Sequence, residues 1–444
     1  MAVGLDSCCF YVTASRAFPS RVRASRPPAT RSLPGSLHFR FARDDEIPAI
    51  GRLAAHSFPA ASRTPAWWEE HLREPRYGAV PFVGVADGRP VASCLLHPMR
   101  QYVGGVALPC AGVGTVAISP ARRRRRHAAA LMVEAMRAAR ERGDVVSSLY
   151  PFRSSFYRRL GYGDAGAALQ WQVAPAELAD APDRHGVEVL ESVAELADAA
   201  ALYERWAATQ TGQMQRNDRV WSSLLAPQDR VLFGCHGSGG QLEGYALVTY
   251  RPDLPRQTRF LEVDELVWIT PAARRGLCGW LSSLGDQWEQ LLIRTLPSHR
   301  FGDWLREPRL PPGAAPGWGL WSPAATLLMG PMFRLLDIDA AWAQRRVQLS
   351  TAMTATVEVT DAALPENSGV RRIAFTEGRA DVDPGTDADL TLRLETATLA
   401  RLFIGALSAN AGVAAGLIEC DRPDRLPALD AVLALPEPWT FDRF

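Results

Sequence analysis

Apolar positions along this chain switch between a period near 3.6 and a period of 2, so helices and strands should alternate. Residues 1–36 keep neither period and are rich in Arg, Ser, Ala and Pro. Ordered sequence begins at His38-Phe39-Arg40-Phe41. Asp44-Asp45-Glu46 opens a helical stretch with Ile47, Ile50 and Ala54 on one face. Thr64-Pro65 reads as the N-cap and first turn of a second helix, whose Trp67 and Trp68 read as core before pocket lining. Residues 82–86 and 91–96 flank Asp87-Gly88, a hairpin signature, and a second hairpin centres on Gly104-Gly105. A strand at 115–118 precedes Ala128, Leu131, Met132, Ala135, Met136 and Ala139, which fall on one helical face.

Further along, Val267-Trp268-Ile269-Thr270-Pro271 repeats the character of Val116-Ala117-Ile118-Ser119-Pro120. Residues 177–330 therefore read as a duplicate of residues 37–176. Residues 331–444 change character. Strands are expected at 370–375 and 390–394 with Asp383-Pro384-Gly385 as the turn between them, and helices at 340–346 and 396–407. The expected fold is mixed α/β: two related domains, then a small α+β domain.

Composition narrows the function classes. The chain has 444 residues, 47% hydrophobic and 22% charged, as expected of a globular protein. It holds no run of eighteen apolar residues, so no membrane-spanning helix and no membrane partner are expected. A net charge of +1 argues against nucleic acid as a partner. All 49 basic residues are Arg, which reflects genomic base composition before chemistry. Residues 1–43 carry seven of them against one acid, Asp6. Residues 1–36 are read first as an over-extended gene start forming a disordered leader, and second as a transit peptide. The remainder is net negative, which suits a cationic substrate. The seven Cys are scattered without a CxxC pair, so neither a disulfide framework nor a zinc ribbon is indicated, and a reducing cytoplasm fits. The eight His show no HExxH or other ligand spacing, so no metal is expected.

The strongest chemical feature is a strand ending near Pro120, the run Arg122 to Arg126, and then a helix. A helix start presents unpaired N–H groups and the positive end of the dipole, and Arg side chains add charge for phosphate. The segment reads as a pyrophosphate cradle; the alternatives are a solvated basic helix start or a nucleic-acid patch. Tyr157, in Phe156-Tyr157-Arg158-Arg159-Leu160-Gly161-Tyr162, reads on its own as an aromatic packed against the sheet. Gly161-Tyr162-Gly163-Asp164-Ala165-Gly166 fits GxGxxG, but a strand follows it where a dinucleotide fold needs a helix, so NAD binding is rejected. Walker A, GxSxG and Cys–His patterns are absent. The tail Pro436-Glu437-Pro438-Trp439-Thr440-Phe441-Asp442-Arg443-Phe444 is too aromatic for a frayed end.

Val-x-Ile-x-Pro-x-x-Arg-Arg-Arg before a helix resembles the acetyl-CoA motif of the GNAT N-acetyltransferases, with Arg126 where the motif has Gly. Phe-Tyr-x-x-x-Gly-Tyr after that helix resembles the Eis-type members (enhanced intracellular survival proteins). The resemblance implies tandem GNAT-type domains at 37–176 (catalytic) and 177–330 (non-catalytic), and a sterol-carrier-like domain at 331–444. It implies acetyl-CoA as co-substrate, held by Val116, Ala117, Ile118, Arg124, Arg125, Arg126, His127, Ala128 and Ala129, with Phe152 and Arg153 nearby. It makes Tyr157 the general acid and the terminal carboxylate of Phe444 the general base. Aminoglycoside-like polyamines or Lys side chains become the acceptors, and a hexamer the assembly. The alternatives are a non-enzymatic lipid or acyl binder with a degenerate acetyltransferase domain, and a GNAT enzyme for one small metabolite amine.

Overall fold

Two tight hairpins start the first sheet. Asp87 and Gly88 both take positive φ, as do Gly104 and Gly105, which matches the twist of the flanking strands. These turns join Val80–Ala86, Arg89–Val103 and Val106–Ile118 into an antiparallel ribbon. The computed structural model describes residues 37–75, 77–181, 184, 186–251, 259–309, 325–348 and 352–444. The leader expected at 1–36, with Cys8 and Cys9, lies outside the described residues. The ribbon belongs to a seven-stranded sheet ordered His38–Phe41, Val80–Ala86, Arg89–Val103, Val106–Ile118, Val146–Leu149, Met332–Leu335, Gly163–Asp164.

Helices cover this sheet by the faces their patterns mark. Helix Ile47–Ser57 buries Ile47, Ile50, Leu53 and Ala54. Helix Pro65–Arg73 begins under Thr64, whose Oγ1 accepts from the Trp67 amide at 3.2 Å. Trp68 joins the core, while half-buried Trp67 stacks on His71. Helix His127–Glu141 buries Leu131, Met132, Ala135, Met136 and Ala139. Full burial of one large aliphatic side chain stabilises by about 1.5–3 kcal/mol, so this face fixes the helix on the sheet.

A second seven-stranded sheet is ordered Ala325–Met329, Ala167–Val173, Gln290–Thr295, Phe260–Trp268, Leu242–Arg251, Arg230–His236, Val187–Val189. The chain passes between the two sheets twice. Ala167–Val173 pairs in the second sheet, and Met332–Leu335 returns to the first between Val146–Leu149 and Gly163–Asp164. Helix Pro271–Ser282 follows Phe260–Trp268.

The third unit is a five-stranded sheet ordered Arg379–Asp383, Gly369–Thr376, Met353–Thr360, Leu390–Glu395, Ile418–Cys420. Here one expectation is corrected. The segment between the strands expected at 370–375 and 390–394 is more than a turn: Glu377-Gly378 reverses the chain and Arg379–Asp383 returns as an edge strand. Arg379 and Asp381 are exposed and only Ala380 is fully buried, so the strand lacks an apolar signal. Arg334, in the first sheet, ties this unit down by donating from Nη2 to both Asp361 oxygens at 2.6 and 2.9 Å. No helix among the described residues is long and apolar enough to cross a membrane.

Candidate active site

Strand Val106–Ile118 is where the first sheet opens. It pairs in parallel with Val146–Leu149 at Cys110–Val146, Ala111–Ser147 and Gly112–Ser148, and the register ends there. On its other edge Ser93 faces Ala117 while Leu95 faces Gly114. Thr115 and Val116 together therefore oppose Cys94, a β-bulge with Thr115 at φ +49°. Beyond the parting point Val116, Ala117 and Ile118 present one backbone edge to a cleft rather than to a strand.

The Arg run follows at the mouth of that cleft. Arg122 pairs with Asp87 at 2.8 Å, while Arg123, Arg124, Arg125 and Arg126 are exposed. Arg124 and Arg126 have φ of +63° and +61°. Arg126, at the position where the motif carries Gly, therefore adopts the left-handed backbone that Gly favours. It is the N-cap of helix His127–Glu141 and its side chain makes no capping bond. His127, Ala128 and Ala129 occupy the first helical turn, half-buried, with amides aimed out of the helix start. The arrangement suits a diphosphate.

Tyr157 lies on the short helix Ser154–Arg158, after Val146–Leu149. It is 2% exposed, edge-on to Phe156 and Phe152, and part of the cluster containing Ala111, Val113 and Leu131. Burial raises its pKa above the ordinary phenol value, and neighbouring Tyr162 and Cys94 add to that. It is a neutral acid at pH 7. Phe152 is 70% exposed and Arg153 is exposed beside it.

The chain end lies on the opposite face of the same strand. A Cβ at Gly114 would stand 3.5 Å from the carboxyl carbon of Phe444 and 3.0 Å from His97 Nε2. A Cβ at Gly112 would stand 2.9 Å from the Phe444 ring. The ring meets His97 and Tyr150, at centroid distances of 5.9 and 5.6 Å. Side chains alternate across a strand, so Gly112 and Gly114 face Phe444 while Ala111 and Val113 face the Tyr157 cluster. The strand thus has Phe444 packed on one face and the Tyr157 cluster on the other. Among the described residues no group of three or more His, Cys, Asp or Glu is placed to hold a metal ion.

Sequence reasoning missed His97, Gly112 and Gly114. The alternate glycines inside a strand were the available signal, since strand glycines mark a close approach of other groups. His97 carried none.

Comparison with known proteins finds related domains along the chain. A family model described as an acetyltransferase (GNAT) domain covers residues 38–165, and a second of the same description covers residues 212–334. A sterol carrier protein domain model covers residues 338–441. N-acetyltransferase Eis of Mycobacterium tuberculosis is 29% identical over 415 residues, covering 89% of this chain and 96% of that protein. The chain carries two GNAT acetyltransferase domains and has Eis N-acetyltransferases as homologues, so it is an acetyltransferase. Two solved structures share its fold. A GCN5-related N-acetyltransferase from Anabaena variabilis has a TM-score of 0.79 at 19% identity, and Eis1 from Mycobacterium abscessus 0.70 at 22%. Each covers 92% of this chain and 100% of its own. GNAT acetyltransferases use acetyl-CoA as co-substrate. The Arg run and the helix that carries Tyr157 both lie within the first of the two GNAT domains.

Proposed function

We propose that this acetyltransferase moves an acetyl group from acetyl-CoA directly to a primary amine, either of an aminoglycoside-like polyamine or of a Lys side chain. Acetyl-CoA lies along Val116, Ala117 and Ile118 with its diphosphate at Arg124 to Ala129 and its outer part near Phe152 and Arg153. The amine nitrogen attacks the acetyl carbonyl carbon and the Phe444 carboxylate takes the amine proton. The carbon–sulfur bond breaks, and Tyr157 gives its proton to the departing thiolate. One proton is gained and one given, so the products are the N-acetyl amine and the CoA thiol.

The observation that carries the reading is the terminal carboxylate beside Gly114, across the strand from Tyr157, where the two strands part. Positioned proton transfer contributes about 10²–10⁴ in rate, so each group should be costly to remove. The test is thiol release from acetyl-CoA with a multi-amine aminoglycoside, comparing the native chain with a variant lacking Phe444. The expected result is more than one acetyl per acceptor, lost without Phe444. No turnover by the native chain would refute the multi-amine assignment.

A further inference from the structure

Chain ends fray unless something holds them, and here the second domain does the holding. The tail runs along the loop 209–216: the Trp439 amide donates to the Thr211 carbonyl, and Phe441 stacks on Trp206 at 5.5 Å. It passes the place where Phe260–Trp268 and Gln290–Thr295 separate, their parallel register ending at Val263–Ile293. This is the counterpart of the catalytic cleft. Its walls include Leu266, Trp268 and Arg294, and the tail itself lines it with Glu437, Trp439 and Phe441.

Just beyond, Asp442 enters a fully buried ionic cluster. Arg216 donates from Nε to both Asp442 oxygens at 3.1 Å, and from Nη1 and Nη2 to Glu265 at 3.0 and 2.6 Å. Tyr203 donates to Asp442 and Tyr245 to Glu265. The Arg216 guanidinium lies 3.9 Å from the Tyr203 ring centroid. From the first domain, the Tyr150 hydroxyl donates to the Asp442 carbonyl at 2.9 Å. A buried ion pair is weak evidence of stability, because well-packed apolar residues often serve as well. What this network does specify is a position: a planar fork between two carboxylates fixes both in distance and angle. The carboxylate of Phe444 is two residues away.

We propose that Arg216 and Glu265 of the second domain, gripping Asp442, are positioning residues that hold the Phe444 carboxylate in the first domain's cleft. The silent domain has given its own cleft to the tail and works as the clamp of the catalytic base. The inference rests on the reading of Phe444 as that base.

The test uses the full chain with its native C-terminus. Asp442→Ala breaks the clamp, and Asp442→Asn, which keeps volume and an acceptor, serves if the first fails to fold. Two readouts are taken beside the melting temperature. One is the split between kcat and the KM for acetyl-CoA. The other is digestion by a carboxypeptidase selective for aromatic ends, which removes Phe444 and stops at Arg443. The clamp predicts an unchanged KM, kcat lower by about 10²-fold, the usual cost of a displacement near 1 Å, and fast release of Phe444. Arg216→Lys, a point charge without a fork, should give the same signs with smaller size. A folded variant that keeps both kcat and carboxypeptidase resistance overturns the clamp. Native protein trimmed of Phe444 that keeps full kcat overturns the terminal base, and the positioning role with it, on a separate readout.

Discussion

The two sheets open at equivalent places and finish the opening in opposite ways. In the first domain the strand ends, a short turn Pro120–Arg122 and four exposed Arg follow, and the helix starts uncapped at His127. In the second the helix starts on Pro271 itself, and Thr270 Oγ1 accepts from the Ala273 amide at 3.1 Å. That hydroxyl donates to Glu243 at 2.6 Å, so a carboxylate already stands at this helix start. Aligning the sequence at Pro120 with that at Pro271 also sets Gly114 opposite Glu265. Where the first domain leaves room for the chain's terminal carboxylate, the second supplies a carboxylate of its own and neutralises it with Arg216. One opening thus leads to an exposed Arg run and an uncapped helix, the other to a capped helix and a neutralised carboxylate.

The largest test of this contrast is Tyr157→Phe. It keeps the ring and its packing and removes the proton, so kcat should fall by about 10²-fold or more with little change in acetyl-CoA KM. The pH profile sharpens it. Because burial, then Tyr162 and Cys94, raise the Tyr157 pKa, the phenol stays protonated past the ordinary value of about 10. Activity that needs the protonated acid is lost only as pH climbs through that raised pKa. A Tyr157→Phe variant that keeps the native kcat across the pH range would show the assignment to be wrong.

Next comes Gly114→Ala. The new Cβ stands 3.0 Å from His97 Nε2, so the His97 ring, which packs on Phe444 at 5.9 Å, must shift by a few tenths of an ångström. We expect kcat to drop by about tenfold, a fraction of the roughly 10² attached to a 1 Å misplacement. Measured initial rates with acetyl-CoA saturating would show it. Unchanged rates would mean that the site tolerates a displaced carboxylate.

The pattern of legible and illegible features follows from range. Capped helices, two-residue hairpins and the strand–Arg–helix segment are local, and Thr64, Asp87-Gly88, Gly104-Gly105 and the 128–139 stripe announce them. The passage of Ala167–Val173 into the second sheet and of Met332–Leu335 back into the first is non-local: a buried strand of four residues reads the same in either sheet. Arg216, Glu265 and Asp442 meet across 226 residues, and nothing in their neighbours in sequence marks them. The aromatic tail said that the end is packed, without saying against what.

A smaller effect belongs to Arg126→Gly. A non-Gly residue in the left-handed region costs about 1–2 kcal/mol, but Gly also frees the unfolded chain, so the net gain in stability should stay under about 1 kcal/mol. Removing one exposed guanidinium beside a diphosphate should flatten the rise of acetyl-CoA KM with ionic strength. Steady-state KM across a salt series decides it. A slope equal to the native one would remove Arg126 from the cradle.

The smallest expected change in activity comes from the other corner. Thr270→Ala deletes the cap of helix Pro271–Ser282, worth about 1 kcal/mol, which in a domain of this size moves a melting transition by about 2–4 °C. The mutation also takes a donor from Glu243, although Gln241 Nε2 continues to donate to that carboxylate at 2.6 Å. Acetyl transfer should be untouched, because this helix start faces its own Glu243 rather than a substrate. Calorimetry beside initial rates separates the two. A stability loss without a rate change keeps the second corner a strut, whereas a rise in acetyl-CoA KM would make it a second site for the same anion and undo the contrast between the two clefts.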